Sequence, residues 1–260
     1  MPYREETIVI HGRHTRLLRG GTGTALLYLH DTFCYRWLPL HECLATQYEV
    51  IVPIHPGCDG SDGFEDVDTM EDLVFHYLDV CDALRLERPV LLGSSLGGWL
   101  AAEWAVRYSD VLHGLILLDA LGLRVPAAPA ADILRLDPPQ TRATLFADPT
   151  SALAQDIIPD LPTPESLPAL LLARQTLARF AWQFPDNPKL DRYLYRVRTP
   201  TLIIWGEQDH FVSTAHGMAY QEGIASAELM VLPQCGHLPH AEQPDVCART
   251  VLEFLQRLEP

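Results

Sequence analysis

Pro89-Val90-Leu91-Leu92-Gly93-Ser94-Ser95-Leu96-Gly97-Gly98-Trp99-Leu100-Ala101-Ala102-Glu103-Trp104-Ala105 changes character twice in a short span. The first four residues are an apolar run that reads as a buried strand. From Gly98 the run reads as a helix. Between them Gly93-Ser94-Ser95-Leu96-Gly97 fits G-x-S-x-G, with Ser95 in the central position. A serine on a sharp strand-to-helix turn projects its hydroxyl from the end of a sheet, and the neighbouring glycines let strand and helix approach closely. A glycine-rich turn with an idle serine would show the same five residues, so the partners decide.

A serine hydroxyl is a poor nucleophile at neutral pH and needs a base, itself held by an acid. Both follow downstream. Asp209 comes after Pro200-Thr201-Leu202-Ile203-Ile204-Trp205-Gly206, a continuous apolar strand. His237 comes after a second strand, Ala227-Glu228-Leu229-Met230-Val231-Leu232-Pro233, and the loop Gln234-Cys235-Gly236. Groups just past strand ends gather on the ligand-facing edge of a parallel sheet. The rivals fit less well. Asp119 also ends a strand, Glu207 lies nearer its strand than Asp209, and His210 and His240 flank the two loops. His30 and His55 lack the spacing of a dedicated metal site, so no metal or other cofactor is expected.

Three further stretches extend the pattern: Trp205-Gly206-Glu207-Gln208-Asp209, Gly236-His237-Leu238-Pro239-His240-Ala241-Glu242-Gln243-Pro244, and His30-Asp31 after the strand Ala25–Leu29. With Gly93–Gly98 and the turn Pro53–Ser61 they resemble the α/β-hydrolase superfamily over about residues 7–122 and 195–258. The resemblance implies an α/β fold, with a mostly parallel central sheet, helices on both faces and an inserted helical cap. It implies Ser95, Asp209 and His237 as the catalytic triad. The oxyanion-hole donors would be the backbone N–H groups of Leu96 and Thr32. Substrate contacts are expected from His30, Asp31, Phe33, Phe146, Trp182 and Leu238. Asp31 stands where glycine is usual. A carboxylate aimed at a developing oxyanion would oppose it, so its side chain is expected to turn to nearby backbone or to a histidine such as His55.

The activity implied is serine hydrolysis of an ester, thioester or lactone through an acyl-enzyme. Carbon–carbon bond hydrolases of the same fold are the nearest alternative. Their motifs typically read Gly-Asn-Ser at the elbow and place tryptophan after the histidine, where this chain has Ser94 and Leu238. A hydrolase-like ligand-binding receptor is the alternative from another class.

Charge and composition narrow the partners to a small molecule. With 19 basic and 34 acidic residues the formal charge is −15, which argues against nucleic acid and anionic membrane surfaces. No run approaches the ~18 apolar residues of a membrane span. The start, Met1–Glu6, has no apolar signal core, and the 6 cysteines show no C-x-x-C spacing. They read as reduced thiols, and the chain as cytoplasmic. Composition leaves a homo-oligomer open.

Strands alternate with helices across residues 1–122 and 191–260, the expected core. Apolar residues of 68–86 recur at helical spacing. Residues 123–190 differ, holding 11 of the 21 prolines and no strand signal. Helical patches at 141–146 and 166–184 make this segment the expected cap.

Overall fold

The computed structural model describes residues 3–33, 36–164, 167–182 and 185–258; Cys34 and the two ends of the expected helical patch, Ser166 and Phe184, lie outside them. The continuous apolar runs become the middle of one eight-stranded sheet. Its strands are β1 (Arg4–Ile10), β2 (Arg13–Gly20), β3 (Ala25–Leu29), β4 (Glu49–Pro53), β5 (Val90–Ser94), β6 (Gly114–Leu118), β7 (Thr201–Gly206) and β8 (Ala227–Leu232). The order is β1-β2-β4-β3-β5-β6-β7-β8. β1 pairs antiparallel with β2, and β2 with β4; all later pairings are parallel. The sheet is therefore mostly parallel, with an antiparallel hairpin at one edge. That edge shows in the residues: β1 alternates exposed and partly buried positions, whereas β5, β6 and β7 are buried throughout.

Side chains alternate between the two faces of each strand, and the cores follow. Leu27, Leu29, Leu91, Leu115, Leu117 and Ile203 pack with residues of α2 (Met70–Leu84) and α3 (Leu96–Tyr108). Leu26, Tyr28, Val90, Leu92, Ile116 and Leu118 pack with residues of α1 (Pro39–Leu44) and α9 (Pro244–Gln256). Each fully buried aliphatic side chain is worth about 1.5–3 kcal/mol, so the sheet cannot lose either helical layer cheaply. Thr69 caps α2 by accepting the Asp72 N–H, and Arg85 ends it in the left-handed region at φ 54°. The mostly parallel sheet with helices on both faces is what the resemblance implied.

The 123–190 segment supplies α4 (Pro138–Leu145), α5 (Ala152–Ile157) and α6 (Leu167–Ala181). α4 starts earlier than its apolar pattern because Asp137 caps it, accepting the Gln140 N–H at 2.8 Å with proline at the first helical position. Two later helices complete the set, α7 (Thr214–Gly223) and the four-residue α8 (Pro239–Glu242). Among the described residues no helix is long and apolar enough to cross a membrane. The five described cysteines are free thiols.

Candidate active site

Parallel pairing brings the carboxyl ends of β3, β5, β6, β7 and β8 to one edge, and the polar residues past those ends meet there. Ser95 sits between β5 and α3 at φ 52°, ψ −113°, a backbone position that L-residues rarely adopt. The surroundings leave it no alternative. Its N–H donates to Leu118 O at 2.9 Å, and its carbonyl accepts the Trp99 and Leu121 N–H groups. A Cβ on Gly97 would collide with the Leu29 carbonyl oxygen, and one on Gly93 with that of Gly97. Small residues are required where helix α3 crosses β3 and β5.

The three expected residues form one relay. His237 Nδ1 is 2.8 Å from Asp209 Oδ2, and His237 Nε2 is 2.8 Å from Ser95 Oγ. With the Nδ1 proton directed at the carboxylate, Nε2 is left to accept the serine proton. Asp209 Oδ1 accepts the Phe211 and Val212 N–H groups at 2.8 and 3.0 Å, which fixes the carboxylate. The imidazole is held from behind as well. Its backbone N–H donates to Leu145 O at 2.7 Å, tying the loop to the end of α4. Glu242 accepts the N–H groups of Gly236, Leu238 and Ala147. Burial raises the Glu242 carboxyl above its usual range, against the pull of those N–H groups.

Asp119 lies beside this relay. One ligating atom each of Asp119, Asp209 and His237 falls within 4.8 Å of the others, the kind of set that could hold a cation. Asp119 Oδ1 accepts the Gly206 N–H at 2.9 Å, while the imidazole bonds to Asp209. Burial, and then the charge of Asp209, push the Asp119 carboxyl well above its ordinary range. The charged form of Asp119 is therefore disfavoured beside Asp209.

The loop after β3 is set by histidines. His30 Nδ1 meets the Asp31 carbonyl at 2.5 Å, and His30 Nε2 accepts the His55 N–H at 2.9 Å. His55 Nε2 meets the His30 carbonyl at 2.8 Å, and its Nδ1 meets the Tyr77 hydroxyl at 2.5 Å. Asp31 turns to backbone and to a histidine, but the histidine is His240 rather than His55. Asp31 Oδ1 accepts the Phe33 N–H at 2.5 Å, and Oδ2 lies 3.0 Å from His240 Nε2.

Such buried histidines make a stability prediction. Burial lowers His30 to about 4, His41 to about 3 and His76 to about 4, and holds His55 well below its usual value. Below a pH of about 6.5 the unfolded chain binds protons at these rings that the folded chain refuses, so stability falls as pH falls. Asp119 and Glu242, both raised, act in the opposite sense but are outnumbered. Each ring contributes about 1.4 kcal/mol per pH unit in that window. Urea unfolding should show a lower midpoint at pH 5.5 than at pH 7.5. Equal midpoints would mean that these rings are charged in the fold.

The relay is closed to solvent: Ser95 is 1% exposed and His237 0%. A cavity of about 330 Å³ lies alongside, lined by Leu123, Ile133, Leu177 and Ala181 of the 123–190 segment and by Phe211 and His216 of the core. Phe211 joins cavity to relay, its ring packing edge-on against His237 with centroids 4.9 Å apart. A smaller cavity of about 30 Å³ shares Ile133, Leu134 and Leu177 and is lined by Phe33 and Arg174. Arg124 lines the larger cavity and pairs with Asp186 at 2.8 Å.

The expected substrate contacts are placed as follows. Trp182 is 74% exposed and lines neither cavity, because α6 ends at Ala181 and the indole projects into solvent. Phe146 is buried at 2% in the core, with its Cα against Gly236. His30, Asp31 and Leu238 are 0% exposed and line neither cavity. Only Phe33 of that group lines one. Leu96 opens α3, where first-turn N–H groups lack helical partners. Thr32 lies in the loop after β3 and is 4% exposed. Phe211, His240 and Glu242 were not assigned roles from the sequence, although all lie within five residues of Asp209 or His237.

Comparison with known proteins identifies the family and the fold. The family model described as Alpha/beta hydrolase family matches residues 8–250. A 2-hydroxy-6-oxo-6-phenylhexa-2,4-dienoate hydrolase of Burkholderia cepacia is 28% identical over 90% of this chain and 88% of its own. A 2-hydroxy-6-oxononadienedioate/2-hydroxy-6-oxononatrienedioate hydrolase of Escherichia coli K12 is 29% identical over 97% of this chain and 88% of its own. A solved meta-cleavage product hydrolase from Pseudomonas fluorescens superposes with a TM-score of 0.82 at 23% identity, covering 98% of each chain.

Proposed function

The chain belongs to the alpha/beta hydrolase family, and on that premise we propose that it hydrolyses the carbon–carbon bond beside the 6-oxo group of a 2-hydroxy-6-oxo-dienoate. The observation that carries the reading is the assembled relay in a chain similar, over nearly its whole length, to hydrolases named for such compounds. Ester hydrolysis, the first expectation from sequence, becomes the second reading.

The chemistry follows from the relay. Ketonisation of the 2-hydroxydiene places a proton on the carbon next to the 6-oxo group. Ser95 Oγ then adds to the 6-oxo carbon while its proton passes to His237 Nε2, and Asp209 stabilises the charge that forms on the imidazole. The Leu96 and Thr32 N–H groups receive the oxyanion. When the tetrahedral adduct collapses, the carbon–carbon bond breaks, its electron pair is delocalised through the remaining C=C onto the 2-oxo oxygen, and the resulting dienolate takes the proton from His237. That delocalisation makes carbon a tolerable leaving group. Water, deprotonated by His237, releases the acid from Ser95.

Residues 123–190 act as the cap in this reading. They roof the larger cavity, and they exclude water that would compete for the intermediate. A substrate reaches Ser95 only when the side chains between cavity and relay, Phe211 and Phe33 among them, move aside. The substrate carboxylate needs a cation. Arg124 is committed to Asp186, whereas Arg174 donates to a carbonyl, Leu136 O, at 3.1 Å and lines the cavity that holds Phe33. Arg174→Met should therefore raise KM for a dienoate by about 10-fold or more and leave a neutral ester within about threefold. Equal effects on both substrates would remove Arg174 from carboxylate recognition.

One observation favours the ester reading: Ser94 and Leu238 stand where carbon–carbon hydrolase motifs typically carry asparagine and tryptophan. Steady-state assay of a 2-hydroxy-6-oxo-dienoate against short p-nitrophenyl esters separates the readings. The proposal requires kcat/KM for the dienoate to exceed the ester value by about 100-fold or more. The reverse order would assign the ester chemistry. Absence of turnover on both would favour a receptor.

A further inference from the structure

Asp31, His240 and Ser94 form a second buried chain behind the nucleophile, and the relay does not use it. All three are 0% exposed. Asp31 Oδ2 lies 3.0 Å from His240 Nε2, and His240 Nδ1 lies 3.2 Å from Ser94 Oγ. They belong to three different elements: the loop after β3, the short helix α8, and the end of β5. Each adjoins part of the catalytic apparatus. Asp31 precedes Thr32, Ser94 precedes Ser95, and His240 follows His237 by three residues.

A carboxylate this deep is costly unless it is paired and hydrogen-bonded. Burial works to raise Asp31. The contact with His240, and then the Phe33 N–H, outweigh it and hold the carboxyl below its usual range. The carboxylate charge is therefore turned to the histidine, away from any oxyanion. Its other oxygen fixes the Phe33 amide at 2.5 Å. With that amide taken, the next N–H back along the turn is that of Thr32. Orienting one peptide plane constrains its neighbour, because only two soft dihedrals separate them.

We infer that Asp31 and His240 clasp the loop after β3 to the nucleophile strand and so hold the Thr32 N–H in place as an oxyanion donor. They are positioning residues that act through the backbone. The clasp rests on Ser95 being the nucleophile, and it serves any carbonyl substrate, whichever bond is cleaved. It also explains why aspartate can replace glycine at this turn: its carboxylate is bonded to the loop and to a second element.

The test uses the full-length protein, a p-nitrophenyl ester or dienoate that the wild type turns over, and a boronic acid that forms a tetrahedral adduct on serine. Asp31→Ala should lower kcat by about 10- to 100-fold with KM within about threefold, because oxyanion stabilisation acts in the transition state. Boronate affinity should fall by the same factor. The double variant Asp31→Asn/His240→Gln replaces the carboxylate–imidazole contact with an amide–amide contact and keeps an acceptor for the Phe33 N–H. It should recover kcat to within about fivefold of wild type. If Asp31→Ala does not fold, His240→Ala is measured in the same way. The inference is overturned if a folded disruptive variant keeps kcat and boronate affinity within about threefold of wild type. It is equally overturned if the loss appears in KM with boronate affinity unchanged. A wild type that neither turns over substrate nor binds boronate would instead refute Ser95 as nucleophile.

Discussion

Replacing Ser95 with alanine is expected to lower hydrolysis by about 10⁴-fold or more while the fold persists. The size of the effect comes from the relay. Among the described residues only Ser95 offers an oxygen 2.8 Å from His237 Nε2 at the end of an elbow. The neighbouring Ser94 hydroxyl is bonded to His240 instead, so it cannot substitute. Alanine also fits the strained turn, since the bonds of the Ser95 backbone to Leu118, Trp99 and Leu121 do not involve the side chain. Circular dichroism and thermal unfolding should match wild type. Retention of a tenth of the wild-type rate by the purified variant would remove Ser95 from the chemistry.

Asp209→Asn should cost about 10³-fold or more, and Asp119→Asn less than about 10-fold. Both carboxyls are buried within reach of the same imidazole, so proximity alone does not separate them. Bonding does. Asp209 bonds to His237 Nδ1, and two backbone N–H groups hold it there. An asparagine at this site can present its NH₂ to the ring and favour the wrong tautomer. Asp119 accepts the Gly206 N–H rather than bonding to the ring, and burial disfavours its charged form. An asparagine there preserves that acceptor and leaves the Asp209–His237 bond untouched. Parallel kcat/KM measurements on the two variants check this. The opposite ranking would place the triad acid on β6.

The relay and the sheet were legible because both depend on local signals. Val90–Leu92, Leu202–Trp205 and Leu229–Leu232 announce strands, and parallel strands put whatever follows them on one edge. Ser95, Asp209 and His237 could therefore be assigned together although they are far apart in sequence. The walls of the site were not legible in the same way. An apolar side chain in a helical segment has no local marker for what will cover it. Phe146 went into the core and Trp182 into solvent, while Phe211, two residues past Asp209, packed against the catalytic ring. The Asp31–His240 contact joins residues 209 positions apart (240 − 31). The sequence showed that Asp31 would need a partner, but it offered several histidines and no means of choosing among them. Bond class was hidden for a different reason. The same relay serves esters and vinylogous ketones, and the choice between them lies in pocket shape and charge.

The central claim is that Ser95 is the activated nucleophile of this chain. Incubation with a fluorophosphonate, followed by digestion and mass spectrometry, tests it whatever the substrate is. One adduct per chain is expected, on the peptide that carries Ser95, with no adduct in Ser95→Ala. An unlabelled wild-type chain, or an adduct that persists in the alanine variant, would contradict the account.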